Sequence, residues 1–308
     1  MMKRKVSIAI GAYQQKFGDL EAIRIAKRIG ADAVDMDISG GRYTCTNGNS
    51  IYSKSDDEIE SYFSEIGKLA RDLEIDIGQT HGRISGLFPE DNPEDNINLF
   101  KNFRLDCLAT KALGCPLTVV HGCVTGRIGD DKTPAAYMRD KNFYLFTEYM
   151  KSAKEFGVKV ASESLGDCAM YNCCDFFGNT SELIMSGNRV CAVDDNADYF
   201  GYCIDTGHAN KALRFNNNPS PQDHIRMCGN RIIALHLNDN DTLTDQHKIP
   251  KTGTINWDDV LSALDEVGYK GTYNMELNLG TISKNLIVET GEFAIKVMKN
   301  MLFEKYGE

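Results

Sequence analysis

The chain has 308 residues, 42% of them hydrophobic and 25% charged, enough to bury a large core. With 34 basic against 44 acidic residues the net charge is −10, which disfavours nonspecific binding to nucleic acid or anionic membrane, since both need a basic footprint. The basic start MMKRK leads into an apolar run too short for a signal segment, and no stretch approaches the ~20 apolar residues of a membrane span, so the expected address is the cytoplasm.

In chain order, strand and helix patterns alternate. An apolar run, Val6 to Ile10, precedes a helical pattern from Leu20 to Ile29 that stops at Gly30. AVDMDI, from Ala33 to Ile38, is a second strand, followed by a Gly/Asn-rich excursion from Gly40 to Ser53 that looks too polar for core. Ser55 with Glu58 three residues on is a capping-box start for a helix through Leu73. Ile75 to Gln79 is strand three, followed by Thr80, His81 and Gly82. Pro93 opens a helix ending near Gly114, and Leu117 to Val120 is a β-branched strand followed at once by His121.

The second half repeats the cycle. A helix from Pro134 to Phe156 stops at Gly157, and a strand from Val158 to Ala161 leads into Glu163. Gly166 to Thr180 reads as irregular, and Ser181 starts a short helix. Tyr202 to Ile204 is a strand ending in Asp205, Thr206, Gly207 and His208, and Pro221 opens another helix, on which His224 reads as ordinary surface. Ile232 to Leu237 is strand seven, Trp257 to Val267 a helix, Thr272 to Met275 strand eight, and Ser283 to Glu304 the last helix. Gly280, Thr281 and Ser283, with Lys284 beside them, read as helix capping in preference to a phosphate cradle.

Eight strand–helix units with no break in composition predict a (β/α)8 barrel spanning residues 1–308 as one domain. An open doubly wound sheet fits less well, because GAYQQKFG after strand one is not the GxGxxG phosphate turn. The ten cysteines are scattered without a CxxC pair and read as reduced, mostly buried thiols.

The polar residues gather at one end of the later strands. His81 follows strand three, His121 strand four, Glu163 strand five, and Asp205 with His208 strand six. His236 lies in the C-terminal part of strand seven, Asp245 and His247 in its loop, and Glu276 at the end of strand eight. In a barrel these ends meet in one mouth, where the active site forms. Taken singly, each histidine could be a loop hydrogen-bonder, Asp205 could be turn chemistry, and Asp239 and Asp241 solvated loop groups or supports behind the ligands. Trp257 reads as packing under the loop, and Arg83 as reaching substrate or pairing with an acid at the rim. Taken together, converging imidazoles and carboxylates predict a divalent cation, since the acids alone would repel.

The pieces ASES with Glu163, CIDTGHAN with Asp205 and His208, ALHLND with His236, and NMEL with Glu276 resemble the xylose-isomerase-like TIM-barrel superfamily. That group holds sugar and sugar-phosphate isomerases and epimerases, inosose dehydratases, and zinc-dependent apurinic-site endonucleases. In its epimerases the residues matching Glu163, Asp205, His236 and Glu276 hold one divalent ion, commonly Mn2+ or Co2+. The residue matching His208 contacts substrate, and the two glutamates also handle protons. The resemblance therefore implies a small sugar or sugar-phosphate substrate, no membrane or nucleic-acid partner, and a homo-oligomer, since relatives often pair. The endonucleases use three Zn2+ ions, and their ligands match His81, His121, Asp245 and His247 as well as His208 and the four epimerase positions. Two features count against a nuclease. Asp245-Gln246-His247 stands where the endonucleases have Asp-Arg-His, and Glu163-Ser164 where they have Glu-Asn. Many free-ketose epimerases carry an Arg-x-Pro segment here instead, and this chain has none.

Overall fold

Eight parallel strands line the centre of the molecule, and a computed structural model describes residues 4–215 and 217–307. They are β1 (Val6–Ala9), β2 (Ala33–Asp37), β3 (Asp76–His81), β4 (Leu117–Val120), β5 (Lys159–Glu163), β6 (Phe200–Asp205), β7 (Ile232–His236) and β8 (Tyr273–Met275). Their order is β8-β1-β2-β3-β4-β5-β6-β7. Leu237, just past β7, bridges Met275 of β8 in parallel. Across that seam Leu237 N–H donates to the Asn274 carbonyl at 2.8 Å, and Glu276 N–H to the Leu237 carbonyl at 3.2 Å. The sheet thus meets itself as a barrel.

Parallel neighbours require crossovers, and helices supply them on the outside. Ser55 accepts from Glu58 N–H while the Glu58 carboxylate takes Ser55 N–H at 3.0 Å, so the capping box forms and opens the helix Asp56–Asp72. Gly114 and Gly157 end their helices at φ +76° and +69°, a left-handed turn that glycine adopts without steric cost. The main core lies between sheet and helices. A small apolar plug of Leu117, Val119, Ala161, Cys203 and Ala234 fills part of the barrel interior.

Several segments differ from the sequence expectation. Gly11–Phe17 is a short helix of its own, hidden in the sequence because AYQQK carries no apolar period. The Gly40–Ser53 excursion does enter the core through Tyr43 and Tyr52. Their rings can be buried because their hydroxyls donate to Asp19 at 2.7 Å and to Asp106 at 2.9 Å. Gly166 to Thr180 contains a hairpin of two-residue strands, Asp167–Cys168 and Cys173–Cys174. His224 is buried, not surface, with Nδ1 2.8 Å from the Thr180 hydroxyl. The last helix begins at Ile287 instead of Ser283 and has no side-chain cap, so neither Gly280 nor Thr281 touches its N-terminal amides. Lys284 instead sits 4.7 Å from the centre of the Phe17 ring. Among the described residues no helix is long and apolar enough to cross a membrane.

Candidate metal centre

Strand register brings the acids and imidazoles together. Asp205 at the end of β6 is the direct neighbour of His236 at the end of β7, and Glu163 ends β5 beside Cys203 of β6. Glu276 follows β8 across the seam. One donor atom each from Glu163, Asp205, His236 and Glu276 lies within 4.8 Å of the others. His236 Nδ1 is 3.2 Å from Glu163 Oε1 and 3.3 Å from Glu276 Oε2. Glu163, Asp205 and His236 are buried, whereas the Glu276 side chain is 22% exposed and opens to the mouth.

Three further groups overlap this one, and one of them joins His81 to His236 and Glu276. His81 and His121 present Nε2 to Glu163 Oε2 at 3.4 and 3.1 Å, and the three donors form a compact set. Asp205, His208 and His247 form another. His208 Nε2 and His247 Nε2 each lie 3.4 Å from Asp245 Oδ2. All nine residues singled out from the sequence therefore fall in one connected cluster. Glu163 links two sets, one carboxylate oxygen facing each, and Asp205 also belongs to two.

The electrostatics are those of a site built around positive charge. Burial alone would raise the Glu163 carboxyl, but His236 and His121 hold it well below the usual carboxylate range. Glu276 is also lowered, burial being outweighed by His236, His247 and His81. Asp205 goes the other way, raised by burial and by Glu163 and Glu276 despite His208 and His247. Burial opposes charge on His81 and His247, yet the neighbouring carboxylates push each up to about 9. Without a cation, the cluster balances its acids only by protonating imidazoles. Glu163 Oε2 and both ring nitrogens of His236, Nδ1 and Nε2, have no aligned hydrogen-bond partner although all three are buried. Mixed imidazole and carboxylate donors with unused lone pairs fit a divalent cation.

Relatives place this barrel. The family model described as xylose isomerase-like TIM barrel matches residues 23–294. The chain belongs to the xylose isomerase-like TIM-barrel family. Among curated members, an inosose isomerase of Halalkalibacterium halodurans is 30% identical over 175 residues, 54% of this chain and 55% of that protein. An uncharacterized protein of Methanocaldococcus jannaschii is 30% identical over 138 residues, 44% of this chain and 43% of that protein. The match thus spans about half the length of these curated relatives. Solved neighbours include a D-tagatose 3-epimerase-like protein at 21% identity and TM-score 0.69, covering 98% of this chain and 99% of that one. The 3-keto-D-glucoside 4-epimerase of E. coli superposes with TM-score 0.69 at 14% identity, over 97% of this chain and 100% of that one. A third, the IOLI protein with a bound zinc atom, gives 0.64 at 18% identity over 98% and 97% of the two chains. At these identities the solved neighbours speak for the fold.

Around the family's strand ends, side chains that sequence reasoning passed over hold the donors in place. Asp205 accepts from His208 N–H at 2.7 Å and from Asn238 Nδ2 at 2.8 Å. Asn238 reaches it only because residue 207 is glycine: a Cβ there would lie 1.9 Å from Asn238 Oδ1. His208 Nδ1 sits 3.0 Å from the Ser164 carbonyl, which fixes that nitrogen as the donor and turns Nε2 outward. His247 adopts φ +44°, a left-handed backbone that lets it fold back with Nδ1 3.1 Å from the Glu276 carbonyl. Lys211, buried, lies 2.7 Å from Asp167 and 3.9 Å from Asp245. Arg83 pairs with an acid, but the partner is the wholly buried Asp106, at 2.7 and 3.0 Å, and not a rim group. Asp239 is likewise buried instead of solvated, accepting from Trp257 Nε1 at 2.8 Å. No sequence period marks these contacts, since each joins residues from separate strands or loops.

Proposed function

We propose that the protein is a divalent-metal-dependent isomerase or epimerase of a sugar or sugar phosphate, acting as one domain in the cytoplasm. The observation that carries this reading is the set Glu163, Asp205, His236 and Glu276, four donors within 4.8 Å of one another at the mouth. Its relatives, an inosose isomerase, a D-tagatose 3-epimerase-like protein and a 3-keto-D-glucoside 4-epimerase, point the same way.

The chemistry needs a proton removed next to a carbonyl. The four residues would hold Mn2+, Co2+ or Zn2+, which when bound supplies the electrophile that makes this C–H acidic. The chain's own part is proton handling. Glu276, the more open carboxylate, is suited to take the proton, and its lowered pKa keeps it ionised at neutral pH. Glu163, buried and held ionised, can return a proton to the other face of an enediolate once it has taken one from a protonated neighbour such as His121, 3.1 Å away. His208, with Nδ1 tied to Ser164, offers Nε2 to substrate hydroxyls.

The overlapping donor sets favour a second reading, a three-zinc phosphodiesterase like the apurinic-site endonucleases. The net charge of −10 weighs against it, because affinity for a phosphate backbone comes largely from Lys and Arg. Metal analysis of purified protein, with a screen for solvent-deuterium uptake into ketoses, inososes and their phosphates, separates the two. One ion per chain with exchange supports the isomerase reading. Three zincs with nicking of abasic DNA and no exchange would reverse it.

A further inference from the structure

Asp35 stands in the middle of β2, 1% exposed, inside the barrel. A carboxylate in such a place costs several kcal/mol unless it is compensated. Its Oδ2 accepts from Gln79 Nε2 of β3 and Asn274 Nδ2 of β8, both at 3.0 Å. Asn274 in turn accepts from the Ser7 hydroxyl of β1 at 2.9 Å. Gln79 and Asn274 thus give the acid two neutral donors, and one titratable ring faces it: His236 Nε2, 3.2 Å from Oδ2, within ion-pair range but not aligned as a hydrogen bond. The buried Cys203 thiol also lies beside this imidazole.

The opposite nitrogen of the same ring, Nδ1, points at Glu163 Oε1 and Glu276 Oε2. A neutral imidazole carries one proton, and whichever nitrogen holds it cannot bind a metal. The two glutamates attract that proton to Nδ1, where it would occupy the lone pair the centre needs. A carboxylate behind Nε2 opposes them.

We propose that Asp35 is a positioning residue of the metal centre: it holds the His236 proton on Nε2 and so keeps the Nδ1 lone pair aimed at the Glu163–Asp205–Glu276 donors. The proposal rests on the metal reading above and adds a residue with no place in the donor set. It gives the buried acid a use beyond accepting the Gln79 and Asn274 amides, which an amide oxygen could also accept.

The test measures Co2+ binding to wild-type, Asp35→Asn and Asp35→Ala protein by calorimetry, with thermal melts to establish folding. Asp35→Asn preserves shape while removing the charge, and its Co2+ affinity is expected to fall 10- to 100-fold, with Asp35→Ala at least as weak. Long-range 1H–15N spectra of the Zn2+-loaded wild type read the tautomer directly, and should place the His236 proton on Nε2 and the metal on Nδ1. If neither variant folds, the same spectra still test the role: an Nε2 proton held by Asp35 resonates well downfield of a free imidazole N–H, and one at the free position overturns it. Variants that bind within threefold of wild type, or a wild-type spectrum with the metal on Nε2, would overturn the role of Asp35 while leaving the metal reading intact. Wild-type protein that binds neither Co2+ nor Zn2+ would instead remove the metal reading, and the proposal with it.

Discussion

The two ends of the barrel make opposite use of charge. At the N-terminal end, a hollow of about 830 Å³ opens among Arg4, Lys5, Arg71, Asp76, Asp265 and Lys270. There Arg4 meets Asp265 at 2.9 Å, Lys5 pairs with Asp76, and the Lys5 and Asp76 side chains are about half exposed. At the C-terminal end Glu163, Asp205 and His236 are buried and crowded, and Glu163 and His236 are short of partners. A hollow lined by solvated ion pairs is ordinary relief. Ionisable groups packed into a dry place against their own repulsion need something to hold them, and that marks the working end.

The sharpest way to break this contrast is at Glu276. With whichever substrate the exchange screen identifies, Glu276→Gln is expected to lower C–H exchange by about 10²- to 10⁴-fold. Deuterium incorporation followed by NMR measures it, and a loss under tenfold would remove Glu276 as the base. Next in size is a pH effect confined to the upper end. An ordinary histidine titrates near 6.5, whereas His81 and His247 are held at about 9 in the metal-free cluster. Their pairing with carboxylates therefore stabilises the metal-free protein fully below about 6.5 and is lost as pH rises through about 9. A bound cation must displace those protons, so the rise in melting temperature on adding Co2+ should grow steadily from pH 6 to 9. A rise that is flat with pH would mean that these two imidazoles do not meet the ion. The smallest effect is expected at the other end. Lys5→Ala should change stability by less than about 1 kcal/mol, as exposed pairs do, and leave exchange rates unaltered; chemical denaturation and the same NMR assay check both.

The barrel could be read from the chain because its signals are local. Apolar runs such as LTVV, Pro93 and Pro221 at helix starts, and Gly114 and Gly157 at helix ends each act within a few residues. The grouping of the nine polar positions was legible for a related reason: seven stand at or just past a strand end, Asp245 and His247 lie in the loop after β7, and parallel strands deliver their ends to one face. What stayed hidden depends on pairs far apart in the sequence. Asp35 looks like any polar residue in an alternating strand until Gln79, Asn274 and His236 close around it. His224 sits among polar neighbours in PQDHIRMC, and only Thr180, 44 positions away, reveals that it faces inward. Tyr43 and Tyr52 sink into the core because Asp19 and Asp106 receive their hydroxyls.

The seam of the barrel carries one more consequence. β7 and β8 are joined by little more than the Leu237–Met275 bridge and the two hydrogen bonds beside it. His236 lies on one side of that join and Glu276 on the other. An ion gripped by both residues would act as a clasp across this join, so that opening of the ring there and loss of the ion would become a single event.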